Sequence, residues 1–149
     1  MDDHVRFVNR FVGQVELARW LEAADVFVTP YPNLDQIVSG TLSYAMSAGK
    51  PAVSTPYAYA VEILANRRGV IVPPGSPERL AAALVELLQD SELRSAIGRR
   101  AYAYGRRMIW SEVGATYRRL FARVAGATLD GRGLPSDSEA PIELLASYG

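Results

Sequence analysis

Four short apolar segments, separated by stretches with helical periodicity, constrain the fold of this chain more than any other feature. They are residues 5–8, 26–29, 52–55 and 69–72. Continuous apolar strands of this kind are typical of parallel sheets that are covered on both faces. Strands that alternate with helices are joined by right-handed crossovers within one sheet. The sequence therefore predicts an α/β fold in which helices flank a parallel sheet.

The helices are predicted from apolar residues at helical spacing and from residues that favour helix ends. The expected helices cover residues 15–24, the segment between Ser39 and Gly49, and residues 57–66, and three more begin at Ser76–Glu78, at Asp90 or Ser91, and at Ser111–Glu112. From Gly126 onward the chain carries too little apolar surface to offset the entropy of ordering. We therefore predict one domain over residues 1–125, ending in helices, and a mobile tail over residues 126–149.

Composition excludes several kinds of site. The chain has no cysteine and a single histidine, His4. Disulfides and thiolate chemistry are therefore excluded, and a histidine-based metal cluster or a Ser-His-Asp triad is hard to build. No apolar run reaches the ~18 residues that a membrane-spanning helix needs. The formal net charge is zero, so nothing at the level of the whole chain indicates a nucleic-acid partner. We expect a cytoplasmic protein with no nucleic acid, no metal and no cofactor.

The segment around Ser39 has the residues that suit an anion site. Ser39 can cap a helix, and Gly40 leaves the backbone open to close approach. Gly49 can end that helix in a left-handed conformation. A helix N-terminus beside the carboxyl end of a strand presents free N–H groups and a partial positive charge, which suits a phosphate. The alternative is an ordinary helix whose glycine and serine residues only form turns.

The arginines are unevenly distributed. Eight of them fall in one segment with few acids: Arg94, Arg99, Arg100, Arg106, Arg107, Arg118, Arg119 and Arg123. They form either the solvated outer face of helices or a surface that contacts anionic lipid or an acidic partner. Peripheral contact with a membrane therefore stays an open alternative.

Three segments, in this order, resemble one known family: AADVFVTPY, SGTLSYAMSAGKPAVST and RGVIVPPGSPERLAAAL. They are similar to the C-terminal domain of retaining glycosyltransferases of the GT-B architecture, the "glycosyl transferases group 1" family. The resemblance covers about residues 5–121. It implies a Rossmann-like domain that holds a nucleoside-diphosphate sugar, here without the domain's first βαβ segment. It also implies that an N-terminal acceptor domain or subunit is missing, and that an exposed sheet edge favours self-association.

The resemblance also implies which residues bind the donor. The family carries two glutamates eight positions apart, and these positions hold Gln36 and Tyr44 in this chain. The amide of Gln36 keeps hydrogen-bonding capacity, whereas the single hydroxyl of Tyr44 cannot chelate a ribose diol. The backbone N–H groups of Ser39, Gly40 and Thr41 would contact the diphosphate.

The remaining site residues are implied by the same resemblance. The base is expected near residues 9–12, where backbone amides of this segment, including Val12, can pair with its edge. Phe11 packs either on the base or in the core. Tyr31 and Tyr57 lie on loops that face the same crevice or form its wall. Glu62 matches a common family glutamate or is a solvated acid.

The function that follows is that of the donor-binding part of a glycosyltransferase, inactive as this fragment alone and with no catalytic residue identified. An alternative is a non-catalytic interaction module with a degenerate donor site. A third possibility, an unrelated receiver-type domain, would need an acidic cluster at the strand ends, and Asp35 stands alone there.

Overall fold

The computed structural model describes residues 4–124 of the chain. This part of the chain contains three strands and six α-helices. The strands are β1 (Phe27–Thr29), β2 (Ala52–Ser54) and β3 (Val70–Ile71). The helices are α1 (Gln14–Ala23), α2 (Gly40–Ser47), α3 (Ala58–Leu64), α4 (Pro77–Gln89), α5 (Ser91–Gly105) and α6 (Trp110–Val124), with a 3-10 turn at Arg106–Met108 before α6. None of these helices is long and apolar enough to cross a membrane.

The three strands form one parallel sheet in the order β1-β2-β3. Phe27 is the register partner of Ala52, and Val53 is the partner of Val70. The central strand β2 is buried along its whole length, as expected for a strand with helices on both faces. The predicted α/β class with a parallel sheet and flanking helices is therefore confirmed.

The predicted strand over residues 5–8 is wrong. The structure gives this segment no regular secondary structure, and Phe7 is 88% exposed. A strand needs a neighbour to accept and donate its ladder hydrogen bonds, and β1 pairs only with β2 among the described residues. The apolar pattern of residues 5–8 thus suits a strand, but no strand lies beside it.

The core has two parts because successive side chains of β2 point to opposite faces of the sheet. Ala52 packs in a cluster with Leu42 and Met46 of α2, and with residues of α3 and α5. Val53 packs in the other cluster with Leu87 of α4. Each face of this small sheet is therefore covered by helices from the same chain.

Glycines allow helix α5 to approach α2 closely. A Cβ atom on Gly105 would lie 2.6 Å from the Cα of Ser47. A Cβ atom on Gly98 would lie 2.6 Å from the carbonyl oxygen of Gly49. Gly49 itself ends the α2 segment with φ of +70°, the left-handed conformation predicted from its sequence position. This backbone-to-backbone contact fixes α2 against α5.

The predicted capping residues at the starts of the helices are confirmed in some helices and wrong in others. The side chain of Asp90 accepts a hydrogen bond from the Leu93 N–H group at 2.8 Å, so Asp90 rather than Ser91 caps α5. Ser76 precedes α4, with Pro77 in the first turn, but its side chain makes no capping hydrogen bond. Helix α6 begins at Trp110, so Ser111 lies inside the helix instead of capping it.

The chain divides into two compact units, Met1–Val113 and Gly114–Gly149. The described part of the second unit is the remainder of α6. There the rings of Tyr117 and Phe121 stack with centroids 6.0 Å apart, and Arg119 donates a hydrogen bond to the Thr116 hydroxyl. The predicted tail over residues 126–149 lies outside the described residues.

Candidate functional site

The candidate site is the N-terminus of α2, next to the carboxyl end of β1. Strand β1 ends at Thr29, and residues 30–39 lead from that end of the sheet to the first turn of α2. Ligands of open α/β sheets bind outside the carboxyl ends of the strands. The topology therefore places the Ser39 segment where the sequence predicted a ligand.

Ser39 is the N-cap of α2, as predicted. It has extended backbone angles, and its Oγ atom accepts a hydrogen bond from the Leu42 N–H group at 3.3 Å. The same Oγ atom lies 3.4 Å from Thr41 Oγ1. Ser39 is buried, so its hydroxyl is fixed by the protein before any ligand binds.

The first two N–H groups of α2 are free within the described part of the chain. No hydrogen bond joins the Gly40 or Thr41 N–H group to another described residue, whereas the next two N–H groups of the helix are bonded to Ser39. A Cβ atom on Gly40 would meet nothing within 4 Å. Gly40 and Thr41 are also exposed, so an anion at this helix end would meet two unused donors.

The segment that leads into α2 and its first turns supply positive charge through the backbone alone. Residues 30–44 include no lysine or arginine and one acid, Asp35. An anion at Gly40 would therefore be held by N–H groups, by hydroxyls and by the partial positive charge of the helix end. These donors are fixed in place and do not titrate.

The loop before α2 is tied to the sheet. The carbonyl oxygen of Tyr31 accepts a hydrogen bond from Thr55 Oγ1 at 2.7 Å. The Tyr31 ring packs against Tyr57 with centroids 5.4 Å apart. Gln36 uses its amide Nε2 to donate to the Val38 carbonyl at 2.9 Å. Tyr31 is therefore fixed to the residue that follows β2, whereas Gln36 is bonded within its own loop. The Gln36 amide oxygen makes no hydrogen bond to another described residue.

Tyr57 lies on the loop before α3, and of its two predicted roles the one in which it faces the crevice is wrong, whereas a role in the crevice wall stays a prediction. Tyr57 is fully buried in the core, and its hydroxyl has no partner among the described residues. The tyrosine whose hydroxyl hydrogen-bonds to α2 is Tyr59, which lies 2.6 Å from Ser43 Oγ. Ser43 also donates to the carbonyl oxygen of Ser39 at 3.1 Å. This link between α3 and the first turns of α2 was missed, because sequence spacing does not show which tyrosine faces the core.

Tyr44 lies one turn further along α2 and faces a cavity that is separate from the N-terminus of the helix. It is half-exposed and lines a cavity of about 200 Å³ between α1 and α2, together with Leu17, Leu21 and Ala48. Ser39, Gly40, Thr41 and Tyr44 thus lie on one helix, but Tyr44 faces α1. The cavity is mostly apolar and would accept a flat group better than a charged one.

The segment before α1 stays in solvent. Phe11 is 92% exposed, so the alternative that it packs in the core is wrong; its contact with a base stays a prediction. Val12 is half-buried. Glu62 is exposed on α3.

An ion pair that the sequence did not indicate holds this segment to α1. The guanidinium group of Arg10 donates two hydrogen bonds to the Glu16 carboxylate. The hydrogen bond raises the pKa of Arg10 and lowers the pKa of Glu16. Beside the pair, a wide groove of about 790 Å³ is lined by Phe7, Trp20 and neighbouring residues.

Comparison with known proteins gives a family and several relatives. Residues 2–90 match the family model described as glycosyl transferases group 1. A phosphatidyl-myo-inositol mannosyltransferase from Mycolicibacterium smegmatis is 33% identical over 122 residues, which are 79% of this chain and 31% of that protein. A protein of the same name from Mycobacterium leprae is 34% identical over 83% of this chain and 33% of its own length. The chain spans about a third of the length of these curated relatives.

Solved structures give the same architecture. A sucrose-phosphate synthase from Thermosynechococcus elongatus superimposes with a TM-score of 0.60 and 26% identity, over 76% of this chain and 30% of that chain. The C-terminal domain of a glycosyl transferase group 1 family protein from Francisella tularensis gives a TM-score of 0.57 at 24% identity, over 66% of this chain and 50% of that one. The second likeness shows the fold alone.

Proposed function

The chain belongs to the glycosyl transferases group 1 family, and from this premise we propose that it is the donor-binding part of a glycosyltransferase. The donor is a nucleoside-diphosphate sugar. The observation that carries the proposal is the pair of N–H groups of Gly40 and Thr41, which are exposed, have no partner among the described residues and lie next to the carboxyl end of β1. The acceptor would be supplied by another domain or subunit, and this chain alone would not complete the transfer.

The diphosphate would lie against the first turn of α2. Its oxygens would accept hydrogen bonds from the Gly40 and Thr41 N–H groups and from the Thr41 hydroxyl. When the bond between the sugar's anomeric carbon and the phosphate oxygen breaks, negative charge grows on that oxygen. Fixed N–H dipoles aimed at the developing charge stabilise it without reorganisation. The role of this chain is thus to bind, orient and stabilise the leaving group.

The nucleoside would extend from the diphosphate toward α1. Tyr44 lines the apolar cavity between α1 and α2 and can stack on a ring or donate one hydrogen bond. The base would reach residues 9–12, where Phe11 is exposed and available for packing and Val12 supplies backbone groups. Gln36, on the loop before α2, would face the sugar through its free amide oxygen.

The test is a titration of the 149-residue protein with UDP, GDP and ADP, in which binding is measured by calorimetry and by the chemical shifts of the amide NMR signals. We expect millimolar or tighter binding, with shifts centred on Gly40 and Thr41. The variant Gly40→Asp places a carboxylate at the helix end without a steric clash, and it should weaken binding at least about tenfold, or ~1.4 kcal/mol. Gly114→Asp, also in open space, is the matched control. Equal binding by the wild type and Gly40→Asp would remove the proposal.

A paired substitution tests the residues that stand at the family's two glutamate positions. Gln36→Glu with Tyr44→Glu should restore a carboxylate for the ribose and one for the sugar. We expect nucleotide-sugar affinity to rise about tenfold, because a hydrogen bond to a charged group contributes ~1.5–3 kcal/mol. A double variant with unchanged affinity would show that these two positions do not contact the donor.

A second candidate function is a non-catalytic interaction module that keeps the scaffold with a degenerate donor site. The observation that favours it is a row of exposed arginines on α5 and the following turn, Arg99, Arg100, Arg106 and Arg107, none of which has a carboxylate partner among residues 4–124. Such a surface suits peripheral contact with an anionic membrane. Flotation with anionic and neutral vesicles distinguishes the candidates: equal recovery with both vesicle types would exclude the membrane contact.

A further inference from the structure

A basic depression lies at the end of the sheet opposite the α2 N-terminus. Asp25 comes just before β1, and Lys50 comes just before β2, so both lie at the amino ends of their strands. Together with Arg94, Ser95 and Arg99 of α5 they line a depression of about 400 Å³. Since the candidate donor site is at the carboxyl ends of the strands, this depression is separate from it.

Two of its cations are held in place by helix ends. The Lys50 Nζ atom donates to the carbonyl oxygen of Glu22, in the last turn of α1, at 2.9 Å. Arg94 Nη1 donates to the carbonyl oxygens of Leu87 and Leu88, in the last turn of α4, at 2.9 and 3.0 Å. An ammonium group has three N–H donors and a guanidinium group has five, so both side chains keep donors that these carbonyls do not use.

The third cation, Arg99, has no such structural partner. It is exposed and makes no hydrogen bond or ion pair with any other residue of the described range. The single carboxylate among the residues lining the depression is Asp25, which is 3.9 Å from Arg94 Nε and has a side chain that is 68% exposed. Three positive charges against one negative charge leave the depression positive by about two charges.

Backbone packing sets the spacing of these groups. Gly98 lies so close to the carbonyl oxygen of Gly49 that a Cβ atom there would be 2.6 Å from it. This contact brings the α5 turn with Ser95 and Arg99 next to Lys50. The donors therefore converge from two rigid elements, a helix and the residue that leads into β2.

We propose that this depression binds a phosphate group, carried either by a soluble phosphate ester or by a lipid headgroup. Arg99 contacts two phosphate oxygens with its planar fork, and Lys50 acts as a compact positive charge beside it. The Ser95 hydroxyl donates to a third oxygen. Asp25 opposes the anion and limits the affinity. Neither the donor site nor its glycosyl transfer is needed for this binding.

The competing explanation is that the cations only neutralise the carbonyl oxygens at helix ends. That role accounts for Lys50 and Arg94 but not for Arg99, which contacts no carbonyl. Arg99 is therefore the residue that separates the two explanations, and its exposure means that it can be replaced without loss of a fold contact.

The experiment is a titration of the 149-residue protein with inorganic phosphate at constant ionic strength, followed by the amide NMR signals of Gly49, Lys50 and Gly98. We expect saturable shifts at these amides. Arg99→Glu should weaken binding at least about tenfold, whereas Arg107→Glu, the same charge change outside the depression, should change it less than about twofold. Shifts that grow without saturation, or equal losses in both variants, would overturn the proposal and show general screening of a basic face.

Two further variants sharpen the result. Asp25→Asn removes the opposing carboxylate and should strengthen phosphate binding about threefold, within the range of an exposed charge interaction. Gly40→Asp should leave the phosphate titration of Gly49 unchanged, whatever it does to nucleotide binding. Loss of the Gly49 shifts in Gly40→Asp would place the phosphate at the donor site and overturn the proposal, while failure of nucleotide binding alone would not affect it.

The source of the phosphate is distinguished with vesicles. Vesicles of phosphatidylcholine are compared with vesicles that also contain phosphatidylinositol. Preferential binding to the phosphatidylinositol vesicles, lost in Arg99→Glu but kept in Arg107→Glu, would identify a lipid headgroup. Saturable binding of inorganic phosphate with no vesicle preference would support the site with a soluble phosphate ester as its ligand.

Discussion

Two regions of the described chain differ sharply. Every residue of the central strand β2 is buried, and α2 and α4 cover the sheet with fully buried Leu42, Met46 and Leu87. In residues 5–12, here called the open segment, Phe7 and Phe11 are about nine-tenths exposed. Trp20 of α1 and Val28 of the edge strand β1 are partly exposed. The first region supplies its own apolar partners, whereas the second leaves large apolar groups in water. The packing around β2 therefore contributes most of the stability of the described residues, and the open segment contributes little.

The largest expected difference is between a buried and an exposed apolar side chain. Leu87→Ala should lower the free energy of unfolding by about 3 kcal/mol, because it leaves a cavity under α4. Phe7→Ala, in the open segment, should change this free energy by less than about 0.5 kcal/mol. Urea denaturation of both variants measures the difference. Similar losses in both variants would mean that residues 5–8 pack more tightly than the structure describes.

The next expected effect concerns the close contact of α2 and α5. Gly105→Ala should cost about 2 kcal/mol, because its Cβ atom would lie 2.6–2.8 Å from backbone atoms of Met46 and Ser47. Gly114→Ala, a helical glycine whose Cβ atom would meet nothing, should instead stabilise by about 1 kcal/mol. Thermal unfolding of the two variants gives the comparison. A stable Gly105→Ala protein would show that α5 can move away from α2.

Self-association through the β1 edge is the third test. The Phe27 N–H group donates to the Pro51 carbonyl of the β2 side, so in a parallel ladder the N–H group of Val28 points away from β2. We expect the chain to associate at high concentration and Val28→Lys to raise the dissociation constant about tenfold, because charges protect sheet edges. Val61→Lys on α3 is the control for an exposed valine. Sedimentation analysis that finds equal association in both variants would exclude the β1 edge.

The smallest effect is expected at the ion pair between Arg10 and Glu16, which joins the open segment to α1. The pKa of Glu16 is lowered by its hydrogen bond from Arg10, so this pair contributes to folding above the unfolded-state pKa of Glu16. The contribution is lost as the pH falls through the folded-state pKa. In Arg10→Gln, NMR titration should show the pKa of Glu16 moved back upward. An unchanged pKa would mean that the pair does not form in solution.

The sequence predicted the local features of this fold well. The Ser39 cap, the left-handed Gly49 and the start of α4 at Pro77 depend on residues within a few positions of one another. Three of the four predicted strands were confirmed, each to within one or two residues at its ends. Such features depend on interactions between residues that are close in sequence, so the local sequence is sufficient to predict them.

The features that were missed depend on residues that are distant in sequence. The apolar segment at residues 5–8 can form a strand only if another strand lies beside it, and no local sequence pattern shows whether such a neighbour exists. Tyr57 and Tyr59 both lie at the start of α3, but only packing decides that Tyr57 is buried and Tyr59 reaches Ser43. The basic depression combines Lys50 with residues of α5 that are more than forty positions away.

Helix α2 joins an open end to a fixed end within eight residues. Its first two residues are exposed and their N–H groups have no partner among the described residues, whereas its last turn lies against Gly105 of α5. Hydrogen exchange should therefore be graded along the helix: the amide protons of Gly40 and Thr41 exchange within the dead time of the experiment, and those of Met46 and Ser47 exchange only when α5 separates. A ligand bound at the open end would extend this protection by one turn, so slowed exchange at Thr41 would report occupancy directly.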